Sequence, residues 1–269
     1  MNRYSCQRWL GWFAGTVLIS AACTAFAENV LVTKNKTTYV AKSIRWRESS
    51  QEYMVDTMDG TTIPVAKSQV DSLKIDRPDD FDKAATMVKA GQYATAIPLL
   101  EGIVTAYTML NWDNEARQLL ADAYLGAGDP KKAVSALDAL FASAPKSKQD
   151  VPTRQSYWKA LQGAQRNANL RAELDDAIAK EAPPLAAAAQ LARGDLNRAE
   201  GKKEDALLDY WRVVVLYEQV KELQPEAMLK SAEILDELRD GRAQIMRNKL
   251  REKYPNSKEA KQSTGKTSN

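Results

Sequence analysis

Two rhythms of hydrophobic positions divide the chain. Over residues 28–77 apolar side chains recur at every second position: Val30-Leu31-Val32 first, then Val40, Ile44 and Trp46 at even positions, then Tyr53, Val55 and Thr57 alternating with Glu52 and Asp56. Period two marks half-buried antiparallel strands, because successive side chains point to opposite faces. Asp59-Gly60 predicts a tight primed hairpin turn, since glycine takes positive φ freely and aspartate at small cost. Thr61, Thr62, Ile63 and Val65 then form the returning strand, and Pro64 places it at a sheet edge because proline has no N–H for the ladder. A unit this small buries only roughly 60% of its unfolded surface, so the sheet is expected to lean on the rest of the chain.

From Pro78 the rhythm becomes helical. Phe81, Ala84, Ala85 and Val88 form one stripe, Gly91 interrupts, and Ala96, Leu99, Leu100 and Ile103 form the next. The arrangement recurs as Leu119, Leu120, Ala123 and Tyr124, then Gly128-Asp129-Pro130, then Ala133, Val134, Leu137 and Leu140 before Pro145. Gly91, Gly128 and Gly201 are 37 and 73 residues apart, and Ala96, Ala133, Ala206 and Ala243 are 37, 73 and 37 apart. A unit of 37 residues therefore fits four times, with a fifth copy in the gap. That copy, from about Tyr157 to Glu181, lacks the turn glycine and the alanine, yet Trp158, Leu161, Leu170, Leu174 and Ile178 still allow two helices before Pro183-Pro184. Paired helices approach closely only across a small side chain, which Ala133 and Ala206 supply. Pro255 stops the last helix, and residues 258–269, apolar only at Ala260, predict a disordered tail.

Ala121, Tyr124, Gly128, Ala133 and Pro145 in the second copy, with Gly194, Gly201, Ala206 and Tyr210 in the fourth, resemble the tetratricopeptide repeat (TPR). The resemblance spans residues 78–257 and departs from the family in its longer unit and its ragged middle copy. It implies a mainly α chain: an α-solenoid of about five TPR-like helical hairpins, preceded by a small antiparallel β domain. Residues 28–77 in turn resemble a small SH3-like domain in strand count and in the Asp59-Gly60 turn. In TPR arrays the first helices of successive hairpins line a concave groove. Carried over, that places Glu115, Gln118 and Asp122, and Leu191, Asp195 and Arg198, towards a partner. The basic cluster with which some members clamp a C-terminal carboxylate has no counterpart at these positions, which disfavours a peptide ending in acidic residues.

The first residues change where such an array would work. Arg3 and Arg8 precede an uncharged stretch from Trp9 to Ala22, and Ala25-Phe26-Ala27 stands before Glu28, which reads as a signal peptide over residues 1–27. Two other fates compete with simple cleavage: lipidation at Cys23 in Ser20-Ala21-Ala22-Cys23, or retention of the leader as an anchor. Membrane association is expected only in those two cases, and a periplasmic or outer-membrane-associated location in general. Cys6 and Cys23 both lie in the leader, so no disulfide is expected in the mature chain. Cleavage removes two of the 38 basic residues and none of the 35 acidic ones, and the nearly neutral remainder gives no general grip on nucleic acid.

Candidate chemistry is thin. The sequence has no histidine, which excludes Ser-His-Asp and Cys-His catalysis and histidine metal sites. Carboxylate pairs at Asp79-Asp80, Asp175-Asp176 and Glu115 with Asp122 could in principle serve a glycosidase, but they read as a helix N-terminus and solvated faces. Gly126-Ala127-Gly128 falls at a repeat turn with no preceding strand, so no nucleotide or other cofactor is expected. The expectation is a non-enzymatic scaffold for a protein partner or extended peptide, within a secretion, pilus or wall-assembly complex. Its rival is a cell-wall or carbohydrate-binding protein acting through the β domain with Tyr39, Trp46 or Tyr53. Trp211, beside Tyr210 in an apolar helix, is read as core, while Trp112 is either a staple or a surface anchor.

Overall fold

The computed structural model describes residues 29–263, so the leader and its two cysteines lie outside the described residues. Strands β1 Asn29–Thr33, β2 Thr38–Arg47, β3 Glu52–Thr57, β4 Thr62–Ala66 and β5 Val70–Lys74 form one antiparallel sheet in the order β4-β3-β2-β1-β5. Pro64 lies on an edge strand, as its missing N–H requires. The turn between β3 and β4 differs from the primed two-residue turn expected. Only Gly60 is left-handed, at φ 88°, and its N–H reaches the Thr57 carbonyl at 3.1 Å. Asp59 contributes its side chain instead, accepting from the Thr61 N–H at 3.0 Å, which makes a three-residue loop. The even-numbered inward phase of β2 also holds only past residue 43. Its pairing with β3 shifts between Ala41 and Ser43, so Ala41 and Ile44 both face the core and Val40 is 41% exposed.

Five antiparallel helical hairpins come after the sheet. They are α1 Asp79–Lys89 with α2 Tyr93–Ala106, α3 Trp112–Gly126 with α4 Pro130–Ser143, α5 Val151–Gly163 with α6 Asn167–Lys180, α7 Pro183–Ala199 with α8 Lys203–Leu216, and α9 Gln224–Glu237 with α10 Arg242–Lys253. The middle copy begins earlier than its apolar pattern suggested. Asp150 caps α5, accepting from the Thr153 N–H at 2.9 Å, with Pro152 in the first turn where no N–H is missed. The tail expected to be disordered from residue 258 is corrected in part: Lys258–Ser263 is a short closing helix, α11, with Ala260 and Ser263 buried against the last hairpin.

All five hairpins turn in the same way. The second residue after the first helix is left-handed: Gly91 (φ 75°), Gly128 (80°), Gln165 (58°), Gly201 (77°) and Arg239 (57°). The next N–H bonds back five residues, Gln92 to Met87, Asp129 to Tyr124, Arg166 to Leu161, Lys202 to Asn197 and Asp240 to Leu235, at 2.8–2.9 Å. This is the Schellman closure, which satisfies helix carbonyls that would otherwise be orphaned. The missing turn glycine of the third copy is therefore Gln165, 37 residues after Gly128.

The packing of each hairpin depends on two positions twelve residues apart across that turn. They are Ala84 and Ala96, Ala121 and Ala133, Gly194 and Ala206, and Ser231 and Ala243, all buried. In the third hairpin they are Trp158 and Leu170, each 2% exposed. Large side chains there hold helices apart, and α5 and α6 touch far less than the helices of the other four hairpins.

The sheet does lean on the array. Leu110, with Tyr107 and Met109 at its side, completes the core formed by Leu31, Ala41, Ile44, Tyr53, Val55 and Val65. Tyr53 Oη donates to the Met109 carbonyl at 3.2 Å and Trp112 Nε1 to the Ile75 carbonyl at 3.0 Å. Trp112 also meets Phe81 edge-on, ring centres 5.2 Å apart, with the Arg77 guanidinium over both rings. It is the joint between the two parts of the protein rather than a surface anchor.

Candidate partner-binding groove

The first helices α3, α5, α7 and α9 carry the face on which the candidate residues fall. Glu115 is exposed on α3, Gln118 is half-buried, and Asp122 accepts from Ser156 Oγ of α5 at 2.7 Å. On α7, Leu191 is only 4% exposed and packs into the core of the last two hairpins, so of the residues placed towards a partner it offers little free surface. Asp195 accepts from Tyr210 Oη at 2.8 Å and from Lys230 Nζ at 2.7 Å, while Arg198 bridges to Glu233 and Glu237 of α9. Burial opposes charge on Lys230, but Asp195 and Glu226 outweigh it and hold its pKa above the ordinary lysine value. Burial, then Asp195, pushes the Tyr210 phenol up as well. These pairs fix the helices of the fourth and fifth hairpins against each other.

The two candidate sets do not meet, because α5 stands between them. A cavity of about 170 Å³ opens there, lined by Gln155, Trp158, Lys159 and Gln162 of α5, Leu170 of α6, Ala188, Leu191, Ala192 and Asp195 of α7, and Glu226 of α9. Its α5 residues are absent from the sequence-derived set, although the repeat itself points to them. Gln155 and Lys159 lie 37 residues after Gln118 and Asp122, and 36 before Leu191 and Asp195. The same register residues thus line one face over three hairpins. Trp158 Nε1 is buried without a hydrogen-bond partner, a cost of roughly 1–3 kcal/mol.

Behind the groove, Asp209 of α8 is 1% exposed and accepts from Gln190, Arg193 and Asn197 of α7 and from Arg212. Arg193 also reaches Asp175 of α6 at 2.7 Å, and its hydrogen bond to Asp209 is the main reason its pKa rises against the effect of burial. Asp176 pairs with Lys180, and Asp79 and Asp80 lie in the first turn of α1. Two of the three carboxylate pairs noted in the sequence are thereby placed in ion pairs or at a helix start. Trp211 is half-buried against the last core cluster, with the Arg242 guanidinium over its ring.

The sequence profile of the tetratricopeptide repeat matches residues 87–151, from the end of α1 to the start of α5. Among solved structures, a crystal structure of nearly identical TPR-like repeats from Podosopora anserina is similar at 17% identity with a TM-score of 0.51. That match covers 64% of this chain and 91% of the other. A thermophilic TPR protein of Thermus thermophilus shares 19% identity over 70% of this chain and 96% of its own, with a TM-score of 0.45. No curated protein matches the chain in sequence. Residues 87–151 are a tetratricopeptide repeat segment, and the helical array that contains them is a TPR-like solenoid.

Proposed function

We propose that the protein is a non-catalytic, exported scaffold of the cell envelope, periplasmic or outer-membrane-associated, that holds an extended peptide or a partner's helix along the face of α3, α5 and α7. The complex it serves is one of secretion, pilus or wall assembly. The observation that carries the groove reading is the shared register of Gln118, Gln155 and Leu191, and of Asp122, Lys159 and Asp195, on three successive first helices beside an open cavity. Solenoids expose long concave faces of this kind and use them for partners. The leader pattern at Arg3, Arg8 and Ala25-Phe26-Ala27 supports export.

A photoreactive residue placed at Gln155 or Gln162 of the full-length tagged protein, irradiated in intact envelopes, tests the groove. One or two stoichiometric protein adducts are expected from these positions and none from Lys249 on α10. Equal capture from both faces, or none, counts against it. A second reading has one observation in its favour: a cleft of about 460 Å³ on the sheet, lined by Thr33, Lys34, Asn35, Tyr39, Pro64, Val65, Ser68 and Gln69. Tyr53 cannot serve it, being 5% exposed with its hydroxyl on Met109. Retention on purified peptidoglycan that Tyr39→Ala abolishes would move the function to the β domain.

A further inference from the structure

We infer that the third hairpin is a built socket, taking one bulky apolar side chain of a partner segment that carries a carboxylate beside it. The inference rests on the groove reading above and specifies what the groove selects. Four hairpins carry small residues at both crossing positions and close tightly; the third carries Trp158 and Leu170 there, and its two helices stand apart. Those same two side chains together with Ala188, Leu191 and Ala192 form the apolar wall of the cavity, and Gln155, Lys159, Gln162, Asp195 and Glu226 form its polar one. Its volume of about 170 Å³ suits a phenylalanine or leucine side chain, since an apolar cavity of about 150 Å³ accommodates a benzene-sized guest. The space lies mainly between α5 and α7, and the middle copy's departure from the repeat pattern puts Trp158 and Leu170 in its wall.

Charge at the rim selects what flanks the apolar group. Asp195 and Glu226 share Lys230 at 2.7 and 2.8 Å, and Asp122 is occupied by Ser156. Lys159 is exposed, and among the described residues no side-chain partner engages its ammonium. Two acids share one lysine there, so with Lys159 the rim sums to neutral, but the charged group without a side-chain partner is the Lys159 ammonium. A partner carboxylate pairs with it, whereas a partner cation would compete with Lys230 for acids already in use. Like-charge juxtaposition at Lys159 gives discrimination in addition to attraction.

Fluorescein-labelled octapeptides of Gly, Ser and Ala test this, with Phe-Asp, Ala-Asp or Phe-Lys at the centre of amidated chains, or Phe at a free C-terminus. Fluorescence anisotropy with the full chain should show Phe-Asp binding about tenfold or more tighter than Ala-Asp or Phe-Lys. Comparison with the peptide ending in Phe tells whether an acidic side chain or a chain terminus supplies the carboxylate. Ala192→Phe fills the cavity from its half-buried rim and should erase the preference for Phe. Lys159→Glu, at an exposed position that cannot threaten folding, should invert the preference between Phe-Asp and Phe-Lys. Equal binding of Phe-Asp and Ala-Asp, no binding of any probe at millimolar concentration, or an unchanged preference in Lys159→Glu overturns the socket. If photocrosslinks from Gln155 survive Ala192→Phe at full yield, the groove stands and the socket alone is wrong; if wild type gives no crosslinks, the groove reading fails first.

Discussion

At Gln165 and Arg239 a long polar side chain occupies a backbone conformation that three other hairpins give to glycine. The left-handed region costs an L-residue roughly 1–2 kcal/mol, partly offset by its lower chain entropy when unfolded. Gln165→Gly and Arg239→Gly should each raise stability by about 0.5–1 kcal/mol in urea unfolding, whereas Gly128→Ala should lower it by about 1 kcal/mol. A loss on Gln165→Gly would mean that the closure at this turn has a different geometry. Gly194 works by space rather than by torsion. A Cβ there would lie 2.4 Å from Cε1 of Tyr210, a ring that is fully buried and held by Asp195. Gly194→Ala should cost roughly 1–3 kcal/mol through overpacking, visible as a lower unfolding midpoint. Glycine and alanine at fixed spacing are legible in the sequence because few other residues can replace them. Gln165 is not, because the Schellman closure is made of backbone groups, and backbone bonds leave no mark on side-chain identity.

Among the elements, the helices read most easily and the exceptions have local causes. Pairs of apolar stripes around a turn locate four hairpins, and the remaining one becomes plain only with Trp158 and Leu170 standing at the positions of the small residues. The α5 face of the groove escapes sequence reading for the same reason: its copy lacks the marker glycine and alanine that set the register of the others. In β2 the phase slips because a bulge between Ala41 and Ser43 inserts a residue that alternation cannot reveal. Trp158→Ala should cost roughly 3–5 kcal/mol, less whatever the hairpin recovers by closing. Trp158→Ala with Leu170→Ala would restore the small pair, and its loss should fall short of the sum of the two single losses; additivity would show that α5 and α6 cannot draw together. At the joint, Trp112→Phe keeps the contact with Phe81 but gives up the bond to Ile75, for a loss of about 1 kcal/mol. Trp112→Ala loses both and should raise hydrogen exchange across β1–β5, with little change in α7–α10.

For the molecule as a whole, the absence of histidine sets the pH response. No side chain has an ordinary pKa between 6 and 8, so linkage predicts stability flat to within about 0.5 kcal/mol over that interval; a clear slope in the unfolding midpoint would expose a strongly displaced group. The closing helix α11 makes a different demand. Residues 258–263 bury Ala260 beside Met228 and Leu250, so ending the chain at Ser257 should lower the unfolding midpoint as that apolar edge meets water. A tail of such polar composition is not legible as structure, because one buried alanine in a short helix lies below any periodic signal. The bond from Trp112 to Ile75 has a mechanical reading too. It joins residues 37 apart, one repeat length, and so shunts the first hairpin. A pull on the chain at Asn29 would pass through the sheet into α3 and leave α1 and α2 as an unloaded loop until that indole contact gave way. Were the leader ever to tether the protein, tension would reach the groove before it reached the first repeat.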